Sequence, residues 1–149
     1  MAANDFIFGT LLTTEKRVAH MRAQQQGVRH GYRLQPQAVR GGEAPLAIVT
    51  TETSQAIERV ICTILEPEAR TVVLQHAGSD WDLLNWTYIH TWRGALPAYE
   101  SGTTVRYTIT AYPAGGGEPQ AADGGERFSY LVGDPGGPAW AREAIIYQV

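Results

Sequence analysis

Residues 81–92 read WDLLNWTYIHTW and hold three of the four tryptophans of this 149-residue chain. Successive side chains of a strand leave opposite faces, so a strand here places Trp86, Tyr88, His90 and Trp92 on one face. That aromatic stripe suits either a sandwich core or a surface on which sugar rings stack. Because large aromatic side chains are mostly buried, we expect Trp86 and Tyr88 to lie mostly in the core.

Six strand-like segments carry β-branched or aromatic residues between turn-forming clusters. They are residues 46–51, 57–65, 71–76, 83–91, 104–112 and 126–132. In the fifth segment Val105, Tyr107 and Ile109 alternate with Arg106 and Thr108, as in an antiparallel strand with one wet side. Without a βαβ alternation, the pattern predicts an all-β fold, an immunoglobulin-like antiparallel β-sandwich with a short N-terminal helix.

The predicted helix precedes the strands. Thr13 or Thr14 can cap it, and Gly27 is placed to end it after about Gln26. We expect residues 1–30 to be a helical segment packed on a sandwich domain that spans residues 31–132. Residues 113–125, PAGGGEPQAADGG, predict a flexible hairpin loop or a disordered tip.

Composition excludes several classes of function. The net charge is −3 and the basic residues are spread out, so we expect no nucleic-acid partner. The single cysteine, Cys62, lies in an apolar run and is expected to be a buried hydrophobic residue. The sequence has neither a signal peptide nor a stretch that could span a bilayer, which predicts a cytoplasmic protein without membrane contact.

No arrangement of residues in the sequence predicts an active site, a metal site or a cofactor. A nucleophile elbow, a P-loop and a paired-histidine motif are all missing. Asp80 and Asp82 flank Trp81 and could serve as an acid and base pair or hold calcium, but aspartates before a strand usually form a solvated turn. His30 has no neighbour at ligand spacing, so we expect it to be structural.

The end of the chain carries a recognisable pattern. From Gly133 it reads GDPGGPAWAREAIIYQV, a Gly/Pro-rich linker followed by a new apolar run. This pattern resembles the entrance to the catalytic barrel of the α-amylase superfamily of glycoside hydrolases, in which a Pro-x-Trp precedes an Ile-Tyr-Gln-hydrophobic first strand. The matching residues are Pro138, Trp140, Arg142, Glu143, Ala144, Ile145, Ile146, Tyr147, Gln148 and Val149.

Residues 9–36 and 81–112 agree with this resemblance. They are similar to the domain that precedes the barrel in bacterial α-amylase and neopullulanase-like members of the superfamily. The resemblance implies that residues 133–149 are a linker and the start of a catalytic barrel that continues beyond Val149. The family's catalytic carboxylates lie on later barrel strands, so no catalytic residue carries over, although the parent protein would be a glycoside hydrolase.

Two hypotheses for the module follow from the resemblance. In the first, it assists starch or oligosaccharide binding, with rings stacked on glucose faces. The candidate rings are Trp81, Trp86, Trp92 and Tyr99, with Asn85, His90 and Arg93 as hydrogen-bonding groups. Trp81 and Tyr99 fall at strand ends or in loops and are expected to reach solvent. In the second, the module docks on its own barrel or forms a homodimer and has no sugar site.

Overall fold

The computed structural model of the protein describes residues 27–53, 55–83 and 85–134. Over these ranges the fold is all-β, and all named strands pair antiparallel. The strands are β1 (Gly27–Arg29), β2 (Leu34–Gln35), β3 (Leu46–Glu52), β4 (Ile57–Glu66), β5 (Arg70–Asp82), β6 (Thr87–Ala95), β7 (Thr104–Pro113), β8 (Gln120–Ala121) and β9 (Phe128–Leu131), with a 3₁₀ turn at Ala122–Gly124.

Strand β5 connects the two layers of the sandwich. Its first half, up to Leu74, pairs with β4, and its second half, from Gln75 onward, pairs with β6. The strand order is β1-β3-β6-β5-β4-β7-β8, with β2 added beside β3 and β9 beside β7. The sheet therefore curls over into one layer of β1, β2, β3 and β6 and a second layer of β4, β7, β8 and β9.

The core lies between these layers and is formed by alternate residues of the long strands, as the two-residue period requires. Tyr107 and Phe128 are the largest of the fully buried side chains. Cys62 is a free, fully buried thiol, and burial raises its pKa to about 12. The prediction that this cysteine is a buried hydrophobic residue is therefore confirmed.

His30 is a second structural residue of the core. It is fully buried, its Nδ1 lies 2.8 Å from the carbonyl oxygen of Ile48, and its Nε2 lies 2.7 Å from the hydroxyl of Tyr107. The carboxylate of Asp123 accepts hydrogen bonds from the backbone N–H groups of His30 and Gly31, both at 2.9 Å. The predicted structural role of His30 is confirmed, and the 113–125 segment is more than a flexible loop because Asp123 anchors it.

The all-β antiparallel sandwich predicted from the sequence is confirmed. One strand was placed wrongly, because residues 83–91 are not a continuous strand: Leu83, Asn85 and Trp86 lie in the turn between β5 and β6. Strand β1, at Gly27–Arg29, lies upstream of the predicted domain boundary at residue 31. The predicted N-terminal helix and the linker beyond Asp134 lie outside the described residues, among which no helix is long and apolar enough to cross a membrane.

Candidate functional site

The β5–β6 hairpin ends in an exposed group of three rings, Trp81, Trp86 and Tyr88, which we call the aromatic tip. Their exposed fractions are 44%, 76% and 55%. Trp81 and Tyr88 are cross-strand partners whose ring centroids lie 4.9 Å apart, and the centroids of Trp81 and Trp86 lie 6.2 Å apart. The prediction that Trp86 and Tyr88 lie in the core is wrong, whereas Trp81 reaches solvent as predicted.

The reason for this exposure is that one face of the hairpin leaves the core. Trp92 and Tyr88 point to the same side of β6, and Trp92 is only 7% exposed. It lies opposite Val49 in the sheet, and its Nε1–H donates to Thr51 Oγ1 at 3.0 Å. Toward the hairpin turn the same face is no longer covered, so the stripe begins in the core and ends in solvent.

The rings of the tip are not parallel. The plane of Trp81 makes an angle of 88° with that of Trp86 and 71° with that of Tyr88. Edge-to-face packing of this kind is the favoured geometry of aromatic pairs. The tip therefore presents a corner with one highly exposed indole face, that of Trp86, rather than a flat platform.

The backbone at Trp86 is itself unusual. Its φ is +52°, in the left-handed region that bulky residues rarely adopt. Holding a non-glycine residue there costs about 1–3 kcal/mol, and such strain is concentrated at functional positions. The turn therefore displays a large indole at a position where glycine or asparagine is the easier choice.

A carboxylate group lies beneath the tip. Asp82 is buried and accepts a hydrogen bond from Asn85 Nδ2 at 2.7 Å. The nearby side chain of Glu52 is 6% exposed, and neither of its oxygens has a well-formed hydrogen bond within the described part of the chain. Burial raises the pKa of Glu52, and the charge of Asp82 raises it further, while the Asn85 amide lowers it. The expectation that Asp82 is solvated is wrong.

A polar cluster of His76, Ser79 and His90 lies between the tip and the core. Ser79 Oγ is 2.7 Å from His90 Nδ1 and 3.2 Å from His76 Nε2, and the two ring nitrogens are 3.1 Å apart. All three side chains are exposed. They lie beside a groove of about 230 Å³ that is lined by Ala56, Ile57, His76, His90 and Trp92.

A β-bulge makes this cluster possible. His76 pairs with Trp92 and Gly78 with Thr91, so that two steps along β5 match one step along β6. In a regular strand His76 and Ser79, three residues apart, would leave opposite faces. The extra residue at the bulge turns both side chains toward His90, which is the usual effect of a bulge on local side-chain direction.

The remaining predicted site residues are dispersed. Tyr99 is half-buried and packs against the core, so the expectation that it reaches solvent is wrong. Arg93 is exposed but lies on the opposite face of β6 from Trp92 and His90. The structure thus groups Trp81, Trp86 and Asn85 at the tip and separates them from Trp92, Tyr99 and Arg93.

Sequence reasoning missed the histidine cluster altogether. The predicted strand ended at His76, because Ala77-Gly78-Ser79 reads as a turn. An isolated glycine within a strand pattern also signals a bulge, and this was the available clue. Only the pairing with β6 distinguishes the two possibilities.

No family model matches the chain, and no curated protein matches it. Solved structures do. The cycloalternan-forming enzyme from Listeria monocytogenes, in complex with a pentasaccharide substrate, matches with a TM-score of 0.54 and 20% identity. An uncharacterized protein from Listeria monocytogenes EGD-e, in complex with glucose, magnesium and calcium, matches with a TM-score of 0.53 and 18% identity.

Both matches cover 72% of this chain but only 10% of the other chain. At these identities the likeness concerns the fold alone. This chain therefore shares its sandwich fold with a small part of much larger proteins, one of which is a carbohydrate-active enzyme.

Proposed function

We propose that this domain is a non-catalytic module of a glycoside hydrolase of the α-amylase type and that it assists the enzyme by binding α-glucan at the aromatic tip. The observation that carries the proposal is the exposed face of Trp86, held on a strained turn at the end of a hairpin. Its neighbour Asn85, whose amide also donates to the buried Asp82, offers a polar group beside the ring. A pyranose ring can stack on such a face while its hydroxyls bind the adjacent polar atoms.

The perpendicular rings define the kind of site that we propose. A corner accommodates one sugar unit, with Trp86 under its face and the edge of Trp81 beside it, whereas parallel rings would bind several units in a row. We therefore expect weak binding with a small footprint. The sandwich shared with a part of a cycloalternan-forming enzyme supports an accessory role, and the sequence resemblance at residues 133–149 supports the α-amylase type and a barrel partner beyond Val149.

A second function is favoured by the apolar character of the tip. Leu83 is 72% exposed beside the three rings. Exposed aromatic side chains and contiguous apolar patches are typical of protein interaction sites. The alternative is that the tip docks on the catalytic barrel or on a second copy of the chain and binds no sugar. Under either proposal we place the protein in the cytoplasm.

The sugar site is tested by titrating the chain with maltoheptaose and detecting binding by calorimetry and by tryptophan fluorescence. Cellohexaose is the control ligand. We expect saturable binding of the α-glucan alone, lost in Trp86→Ala and weakened in Trp81→Ala. Trp92→Phe is the matched control, because Trp92 is buried and should not alter affinity. Absence of binding at millimolar maltoheptaose would contradict the sugar site and favour the docking alternative. Analytical sedimentation would then measure whether the chain self-associates.

A further inference from the structure

We propose that His76 and His90 bind a divalent transition-metal ion of the late first row, such as Zn²⁺, Ni²⁺ or Cu²⁺. The ligand atoms would be His76 Nε2 and His90 Nδ1 at the mouth of the groove between the two layers. The site is separate from the aromatic tip and does not depend on sugar binding. The bound ion would cross-link β5 and β6 at the point where the hairpin extends beyond the core.

The separation of the two nitrogens fits such an ion. They lie 3.1 Å apart. A zinc–imidazole bond of about 2.0–2.1 Å places two nitrogens of a tetrahedral site about 3.3 Å apart. The ring centroids of His76 and His90 lie 5.3 Å apart, with an angle of 51° between the ring planes. The two nitrogens are thus close enough to bind one ion after a small adjustment of the rings.

The proton count of the cluster also favours a cation. Ser79 Oγ, His76 Nε2 and His90 Nδ1 are all within 3.2 Å of each other. Neutral side chains supply well-directed hydrogen bonds for two of these three contacts, because each ring nitrogen carries either one proton or one lone pair. A metal ion would use the lone pairs of both nitrogens at once and leave the Ser79 hydroxyl to bind a metal-bound water.

The surroundings fix the first of these ligands. The ring of His76 packs edge-to-face on Trp92, with centroids 5.2 Å apart, and Trp92 is itself held by its hydrogen bond to Thr51. The bulge at Ala77 and Gly78 aims His76 at His90. Ordered surroundings of this kind orient metal ligands and raise affinity.

Water must complete the coordination. Within residues 27–53, 55–83 and 85–134, no group of three or more His, Cys, Asp or Glu side chains is arranged to hold a metal. A site with two imidazoles and water favours borderline metals, and the general order of stability places Cu²⁺ above Ni²⁺ and Zn²⁺. We therefore expect affinity to decrease from Cu²⁺ to Zn²⁺.

The test is titration of the full 149-residue chain with CuCl₂, NiCl₂ and ZnCl₂ by calorimetry. His76→Gln and His90→Gln should each lower affinity by at least about tenfold, since even partners outside the ligand set have effects of that size. Both histidines are exposed, so these variants should fold, which circular dichroism checks. Ser79→Ala should lower the affinity less than either histidine variant, because it removes the hydroxyl that binds a metal-bound water but neither ligand nitrogen.

Nitrogen chemical shifts with Zn²⁺ should identify His76 Nε2 and His90 Nδ1 as the bound atoms. Equal binding by the double His76→Gln/His90→Gln variant, coordination through other atoms, or no binding at millimolar metal would overturn the proposal.

Discussion

His30 Nε2 lies 2.7 Å from the hydroxyl oxygen of Tyr107, and both side chains are fully buried between the two layers. The contact joins the turn after β1 to the middle of β7, residues 77 positions apart in the chain. The ring of His30 also packs edge-to-face on Phe128, with centroids 4.7 Å apart. This polar contact inside the core ties the N-terminal edge of one layer to the other layer.

Tyr107→Phe should lower the free energy of unfolding by about 1–3 kcal/mol, because it leaves a buried ring nitrogen of His30 without its partner. Chemical denaturation with urea measures the change. Tyr88→Phe is the control, since the ring of Tyr88 is exposed, and it should change stability by less than about 0.5 kcal/mol. Equal effects of the two substitutions would contradict the structural role of the buried contact.

The stability of the domain should fall in mild acid through His30. Burial lowers the pKa of His30 below its ordinary value of 6.5, against the opposing effects of the Ile48 carbonyl and Asp123. The unfolded chain therefore takes up a proton first as the pH falls. The contribution of His30 to the free energy of unfolding is fully present above pH 6.5 and is lost as the pH decreases below 6.5.

Urea denaturation at about pH 7.5 and about pH 5.5 brackets this window. The loss of unfolding free energy between the two values should be smaller in His30→Gln than in the parent chain. An unchanged loss would assign the acid sensitivity to other groups.

Glu52→Gln should stabilise the domain at neutral pH. Burial and the charge of Asp82 raise the pKa of Glu52 above the 4.5 that it has in the unfolded chain. The stability linked to this group is therefore fully present below pH 4.5 and is lost as the pH rises through the pKa of the folded state. At pH 7 the ionised carboxylate is a cost that a neutral amide avoids. The gain, on the order of 1 kcal/mol, should shrink toward pH 4.5. Glu58→Gln, at an exposed position, is the control, and an equal gain there would count against burial as the cause.

Gly94→Ala should destabilise the sandwich by about 1–3 kcal/mol through overpacking. A Cβ added at Gly94 would lie 3.1 Å from Leu74 Cγ and 3.3 Å from Leu74 Cα, and the backbone atom cannot move aside easily. Thermal denaturation measures the loss. In a double-mutant cycle with Leu74→Ala, which removes Cγ, the coupling energy should recover only part of the loss, because the contact with the backbone Cα of residue 74 remains. Full recovery would show that the side chain alone sets the limit.

Trp86→Gly should be more stable than Trp86→Ala by about 1–2 kcal/mol, because alanine keeps the left-handed strain of the turn and glycine does not. Both variants lose the exposed ring, so both should lose α-glucan binding if the proposed site is correct. Differential scanning calorimetry compares the two. Equal stabilities would mean that the turn relaxes when the indole is removed.

The strand segments could be read from the sequence because their alternation is a local property. Residues 104–112 were predicted as a strand with Val105, Tyr107 and Ile109 on one face, and in β7 these residues are buried. The buried Cys62 and the structural His30 followed from the absence of chemical partners nearby in sequence. The hairpin turn at Asn85 and Trp86 was missed, since nothing in its local sequence resembles the glycine-rich turns that join strands.

What the sequence by itself determined is the all-β sandwich and the face on which the residues of a regular strand such as β7 lie, because a period of two is fixed by the backbone. Only the tertiary structure decided which part of a face is covered: Trp92 and Tyr88 share a side of β6, yet one lies in the core and the other in solvent. It also decided that a single extra residue in β5 brings His76 and Ser79 to His90. Coverage and register depend on contacts between strands that are distant in sequence, and no local pattern encodes them.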